Sequence, residues 1–136
     1  MPLDTVRLSQ TARDQLVQMK RHCGIGQWNV LCRWAYCLSL AEASPPRKQP
    51  VPSDSNVEMT WRTFGGADDE VFRELAFARQ EADSELDLNP ADNFRLHLHR
   101  GIGYLTGDRD RRSIEAMVRL VIEDADQRNA PSTVES

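Results

Sequence analysis

The spacing of hydrophobic positions changes character early in the chain. Val6 and Leu8 alternate with Thr5, Arg7 and Ser9, which predicts a short strand over residues 5–9 with one apolar face. The spacing then becomes helical over residues 10–22. Ala12, Leu16, Met19 and Cys23 recur at i, i+4, i+7 and i+11, Ser9 stands where an N-cap belongs, and Gly24 stands where a left-handed cap ends a helix. Arg13, Lys20 and Arg21 are left toward solvent. A second helix over 27–42 is apolar on almost every side, from Trp28 and Val30 through Leu31, Trp34 and Tyr36 to Leu40. Such a helix belongs at the centre of a core or in an oligomer interface. Its strongly polar line is Asn29 and Arg33, four residues apart.

Residues 44–56 hold four of the seven prolines and several serines, together with Arg47 and Lys48, and read as a loop. Over 57–64 the pattern alternates again: Val57, Met59 and Trp61 face one way, Glu58, Thr60 and Arg62 the other. A short strand stopped by Gly65 and Gly66 is expected, and it needs a partner strand. A helix over 67–86 follows, with Asp68, Asp69 and Glu70 in the first turn, where the helix dipole favours acids. Val71, Leu75, Ala78 and Ala82 line one apolar face of it. Asn89 and Pro90 then form a start signal for a helix reaching Thr106, with Phe94, Leu98, Ile102 and Leu105 as its stripe. A last helix is expected over 109–125, with Ile114, Met117, Val118, Val121, Ile122 and Ala125 on one wide face, and a disordered polar tail over 127–136. The pattern predicts a mainly α single domain over 1–126. It has an N-terminal strand-helix-helix unit of ribbon-helix-helix type, one or two short strands and three further helices.

Composition narrows the class. With 40% hydrophobic and 28% charged residues in 136, the chain is long enough to bury a core and has the make-up of a soluble protein. No apolar run approaches the length of a membrane span and no signal-peptide core is present, so a cytoplasmic protein without a membrane partner is expected. Three cysteines, Cys23, Cys32 and Cys37, are odd in number and lie in helical patterns, which favours reduced thiols. Charge is split. Residues 1–50 carry seven bases against three acids, while residues 51–136 carry ten bases against eighteen acids. A polyanion is repelled by the acidic body and attracted to the basic head.

Several constellations bear on chemistry. The strand-helix-turn-helix order matches the unit in which two chains pair strands into a ribbon that enters the DNA major groove, with Arg7 facing outward. The same strand can instead pack on its own domain, paired with 57–64, so oligomeric state stays open. Arg13, Lys20, Arg21, Arg47 and Lys48 suit phosphate contacts, which position a duplex without reading its sequence; they also suit an ordinary solvated surface. Arg33, among aromatics, either pairs with a buried acid or reaches a phosphate. His22, Cys23, Cys32, Cys37, His97 and His99 lack metal-ligand spacing, and no cofactor motif is present, so neither metal nor cofactor is expected. His97, Gly101 and Tyr104 share one side of their helix, which lets His97 approach a neighbouring helix over the glycine. Asp68, Asp69 and Glu70 resemble a nuclease cluster on paper, but helix capping accounts for them.

The run Cys23-Gly24-Ile25, Trp28-Asn29-Val30-Leu31-Cys32-Arg33 and Ser39-Leu40, then Trp61-Arg62-Thr63-Phe64-Gly65-Gly66 and His97-Leu98-His99-Arg100-Gly101-Ile102-Gly103-Tyr104-Leu105, resembles the DndE family over about residues 5–121. That family belongs to the machinery that replaces a non-bridging phosphate oxygen of DNA with sulfur. The resemblance implies a small helical protein that binds duplex DNA with a preference for nicks and works beside the other Dnd modification proteins. It also implies DNA contacts from basic N-terminal residues, which here match Lys20, Arg21 and Arg33. Fifteen Arg and two Lys mean that a lysine-based surface must be rebuilt largely from arginine. A nicking endonuclease and a ribbon-helix-helix repressor are the competing readings.

Overall fold

The computed structural model describes residues 3–107. The helix expected over 109–125 and the tail over 127–136 lie outside the described residues, as do the side chains of His22 and Cys23. The chain divides into two units, Met1–Thr106 and Gly107–Ser136, and the elements named here belong to the first.

The N-terminal alternation forms β1 (Thr5–Arg7), with Val6 turned inward and Thr5 and Arg7 outward. Its partner is β2 (Glu58–Thr60) of the same chain, antiparallel, with Thr5 opposite Thr60, Val6 opposite Met59 and Arg7 opposite Glu58. The strand of the basic head is therefore paired within one chain. Ser9 caps α1 (Gln10–Cys23) by accepting from the Ala12 N–H at 3.1 Å, and Ala12, Leu16 and Met19 are buried. Gly24, at φ 75°, ends the helix in the left-handed region that glycine enters without a Cβ penalty. The chain then enters α2 (Trp28–Leu40).

Between the two strands, residues 44–56 form no regular element but are tied down along their length. Lys48 donates to the Leu86 carbonyl, Arg95 to the carbonyls of Val51 and Pro52, and the Ser55 hydroxyl to the Leu8 carbonyl at 2.6 Å. The expected strand over 57–64 is shorter than its alternation suggests. It gives way at Trp61 to a short helix, α3 (Trp61–Gly65), which Thr60 caps by accepting from the Thr63 N–H at 3.1 Å. The reason is burial. Trp61 and Phe64 both belong in the core, and an extended chain would send them to opposite faces, whereas a helix turn puts i and i+3 on one side. Gly66 leaves α3 at φ 61° and ψ −138°, a conformation suited to glycine.

The helix expected over 67–86 is three pieces: a 3-10 turn at Gly66–Asp68, α4 (Asp69–Ala82), and a second 3-10 turn at Ser84–Leu86. Its orientation also departs from the apolar pattern. Ala76 is the buried residue of α4, with Phe72 and Arg79 half-buried beside it, while Val71, Leu75, Ala78 and Ala82 are exposed. Phe72 is drawn into an aromatic cluster with Phe64, 5.3 Å between ring centroids, and Arg79 into polar contacts described below. These fix the rotation of α4 and turn its aliphatic stripe outward.

Asn89 starts α5 (Pro90–Thr106) by accepting from the Asp92 N–H at 2.8 Å, with Pro90 at the first helical position. Phe94, Leu98, Ile102 and Leu105 are all buried. Helix α5 packs most extensively on α2, and Phe94 joins Tyr36, Trp61 and Phe64 at centroid separations of 4.7, 4.9 and 5.1 Å. The approach is close at Gly101, where a Cβ would run into the Ala35 carbonyl group. Gly103, on the exposed side, meets nothing within 4 Å. Gly101→Ala should therefore destabilise the fold by more than about 2 kcal/mol, as overpacking against backbone does. Gly103→Ala should stabilise it by about 0.8 kcal/mol through helix propensity. Thermal melts of the two variants should move in opposite directions.

Candidate nucleic-acid interface

The junction of α1 and α2 gathers several of the basic residues singled out in the sequence. Lys20 closes α1, its carbonyl accepting from the Gly24 N–H at 3.2 Å, and its ammonium lies 4.0 Å from the centre of the Trp28 ring at the start of α2. A cation over an aromatic face is attracted by the ring quadrupole, and here the contact bridges the turn between two helices. Both side chains are half-buried, and Arg21 beside them is exposed. Helix α2 begins with Gln27 in extended conformation, and the Gln27 side chain does not cap it. Among the described residues its first N–H groups have no side-chain acceptor, so the positive end of its dipole is uncapped there. This end lines a cleft of about 570 Å³ together with Arg13, Asn56 and Glu58.

The remaining basic residues are placed differently. Arg7 and Glu58 form a cross-strand ion pair at 3.3 Å, so the outward charge of the strand is balanced. Arg13 pairs with its neighbour Asp14 at 3.1 Å. The polar line of α2 runs along α3 and its end: Asn29 donates to the Thr63 carbonyl within α3 at 3.3 Å, and the Arg33 guanidinium lies against Gly66 just after it. Among the described residues Arg33 has no carboxylate partner, so the buried ion pair considered for it does not form. Lys48 lines a second cleft with Val51, Leu88 and Arg95, sharing no residue with the first, and Arg47 is exposed in the same loop. The fold brings Lys20, Arg13 and, through Glu58, Arg7 around the Trp28 cleft, and leaves Lys48 on a separate one, with Arg47 exposed next to it in the chain.

A second constellation was not legible in the sequence. The Ser39 hydroxyl donates to His97 Nδ1 at 2.8 Å, and His97 Nε2 donates to Asp83 Oδ2 at 2.7 Å. The residue order is that of a serine hydrolase triad, but the two imidazole nitrogens are exchanged: the serine meets Nδ1 and the carboxylate Nε2. All three are buried, at 0%, 0% and 3% exposure. Ser39 Oγ also accepts from Arg100 Nε at 2.8 Å, so the hydroxyl is enclosed and has no access to a phosphodiester. Asp83 further accepts from Asn93 and Arg79. Burial alone would raise the Asp83 pKa, but the hydrogen bonds from His97 and Asn93 and the Arg79 charge bring it below its ordinary value. Burial pushes His97 below its ordinary value against the pull of Asp83, which keeps the imidazole neutral and able to accept from Ser39. Burial likewise lifts the Cys32 thiol to about 12 and makes it inert.

The segment from His97 to Gly101 ties α5 to its neighbours. His97 joins α5 to Ser39 and Asp83. His99 donates from Nδ1 to the Arg95 carbonyl and accepts the Ser9 N–H on Nε2 at 3.1 Å, which fastens α5 to the start of α1. Arg100 reaches the carbonyls of Ser39 and Ser44 at the end of α2, and Gly101 admits the backbone of Ala35. Each of these residues holds helices together. Asp69, of the acidic cluster at the start of α4, faces Arg62 at 3.9 Å. Among the described residues no three His, Cys, Asp or Glu side chains come together as a metal-ligand group, and no helix is long and apolar enough to cross a membrane.

The family model described as DNA sulphur modification protein DndE matches residues 5–113, well over half of the chain. The chain belongs to the DndE family. Solved structures of similar fold include DndE from Escherichia coli B7A, involved in DNA phosphorothioation modification. That chain is 19% identical, with a TM-score of 0.63 over 77% of this chain and 98% of its own. A DndE G21/24K mutant structure, 21% identical, gives a TM-score of 0.56 over 77% of this chain and 97% of its own. Comparison with curated proteins gave no significant match. The two DndE-like stretches richest in polar motif residues, 23–33 and 97–105, hold the α1–α2 junction and the helix-locking contacts of α5.

These contacts set a pH response. His97 and His99 both titrate below their ordinary 6.5 because burial disfavours their charged forms. The unfolded chain then binds more protons than the folded one as the pH falls through 6.5 toward the lowered values. Stability should be full above that range and decline below it, with Asp83 adding a further loss only under strongly acid conditions. Melting temperatures taken from pH 7.5 down to 5 should fall, and the fall should be smaller in His99→Gln.

Proposed function

We propose that this DndE-family chain is a non-catalytic DNA-binding component of the phosphorothioation machinery, acting in the cytoplasm beside the other Dnd modification proteins. The observation that carries this reading is the α1–α2 junction. Lys20 lies on Trp28, Arg21 is exposed beside it, and the uncapped start of α2 opens into the cleft that Arg13 borders. Basic side chains and free helix N–H groups both favour phosphate oxygens. A half-exposed indole offers a stacking surface that an intact duplex cannot use but a broken strand, with its interrupted stack, can. Lys20 and Arg21 are the principal contacts in this reading, with Arg13 and Arg33 flanking them. Arg7, held by Glu58, and Arg47 and Lys48 on their own loop are secondary.

The alternatives have less support. A nicking endonuclease needs an accessible nucleophile or base, and the Ser39–His97–Asp83 relay is sealed in the core. A ribbon-helix-helix repressor needs its strand for a second chain, and β1 is paired with β2.

Changing Lys20 and Arg21 together to Glu should weaken binding to nicked duplex while leaving the circular dichroism spectrum unchanged. It should also flatten the dependence of log K on log salt by about 2, one for each lost phosphate contact. Trp28→Ala should reduce the preference for nicked over intact duplex more than it reduces overall affinity. Supercoiled plasmid incubated with the protein and Mg²⁺ should remain supercoiled; nicking that disappears in a point variant would overturn the binding reading in favour of the enzyme.

A further inference from the structure

The aliphatic stripe of α4 is turned away from the core formed by the described residues. Val71, Leu75, Ala78 and Ala82 recur at i, i+4, i+7 and i+11, the seam spacing of a helix packed against another helix. Yet Val71 is 55% exposed and Leu75 40%, and both alanines are exposed. Contiguous exposed apolar side chains of this kind mark an interaction site more often than isolated ones do. The charge beside the stripe is of one sign. Glu70, Glu74 and Glu81 form the adjoining row with Phe77, itself 48% exposed, among them; the three carboxylates are exposed, and none has an ion-pair partner among the described residues. The bases of α4 are engaged elsewhere: Arg73 lies over the Trp61 ring at 5.5 Å, and Arg79 is bound to Asp83 and to carbonyls at the end of α2.

We infer that the Val71–Leu75–Ala78–Ala82 stripe and its Glu70–Glu74–Glu81 border form a docking surface for an amphipathic helix with basic flanks, carried by a partner protein. An aliphatic seam takes the apolar side of such a helix, and the carboxylates take its Lys or Arg residues. A nucleic acid is repelled by the acidic row. A second copy of the same face brings two acidic rows together, which opposes self-pairing. The surface shares no residue with the cleft lined by Trp28.

The test uses the full chain and labelled helical peptides with leucines at i, i+4, i+7 and i+11. One peptide has Lys and Arg flanks, a second has Glu flanks, and a third keeps the basic flanks but has Gln for Leu. Fluorescence anisotropy should detect binding of the first alone. Val71→Gln with Leu75→Gln, and separately Glu74→Lys with Glu81→Lys, should each weaken it at least tenfold without lowering the melting temperature. Equal binding of all three peptides, or affinity unmoved by either pair of substitutions, overturns the proposal. Self-association on light scattering that Leu75→Gln abolishes assigns the face to a second copy and overturns it as well. So does a peptide of residues 109–125 that competes at the same face, which assigns the surface to the chain's own segment.

Discussion

The close contact of α2 with α5 is the constraint on which the rest of the structure depends. Two helix backbones meet at Ala35 and Gly101 with no room for a Cβ, and at that separation a buried chain of hydrogen bonds spans the gap: Arg100 to Ser39, Ser39 to His97, His97 to Asp83. Neither part works without the other. A side chain at residue 101 would push the helices apart and break the bonds, and an unsatisfied Asp83 carboxylate in the core would carry a desolvation cost of several kcal/mol. Because every member of the chain has a partner of the right polarity, a polar network can occupy an interior that is otherwise aromatic and aliphatic.

The same network finishes α2. That helix has no basic residue in its last turn, so its terminal carbonyls need donors from elsewhere. Arg79 from α4 supplies the Leu40, Glu42, Ala43 and Ser44 carbonyls, and Arg100 from α5 supplies Ser39 and Ser44. With its C-terminal end held by two guanidinium groups, α2 presents its N-terminal end to the cleft beside Lys20 and Trp28. One end of the helix is thus saturated by side chains of α4 and α5, while at the other no side-chain cap is made among the described residues.

The demand for Arg79 and Asp83 in the core also governs the outside of α4. A helix has one rotation, and satisfying the buried carboxylate and the end of α2 fixes it. The aliphatic stripe that would otherwise pack inward is displaced to the surface, next to an acidic row that has no ion-pair partner among the described residues. Core polarity and surface chemistry are therefore set by the same choice.

Much was determined by the sequence alone. The caps at Ser9, Gly24 and Asn89, the buried stripes of α1 and α5, the central place of α2 and the membership of the DndE family all follow from local spacing, capping chemistry and motif. These features depend on neighbours within a turn or two of the chain. The sequence also marked His97 and Gly101 as lying on one side of their helix. It did not reveal that Ser39 and Asp83 complete a relay with His97, because the three are far apart along the chain and converge only after packing. It gave Val57–Phe64 the period of a strand, but the need to bury Trp61 and Phe64 on one side converted half of it into helix. It gave α4 an apolar face whose direction depends on partners contributed by α2 and α5. Lys20 was visible as a charge, and Trp28 as a hydrophobe. Only the turn at Gly24, by bringing the end of one helix over the start of the next, made a single feature of the two.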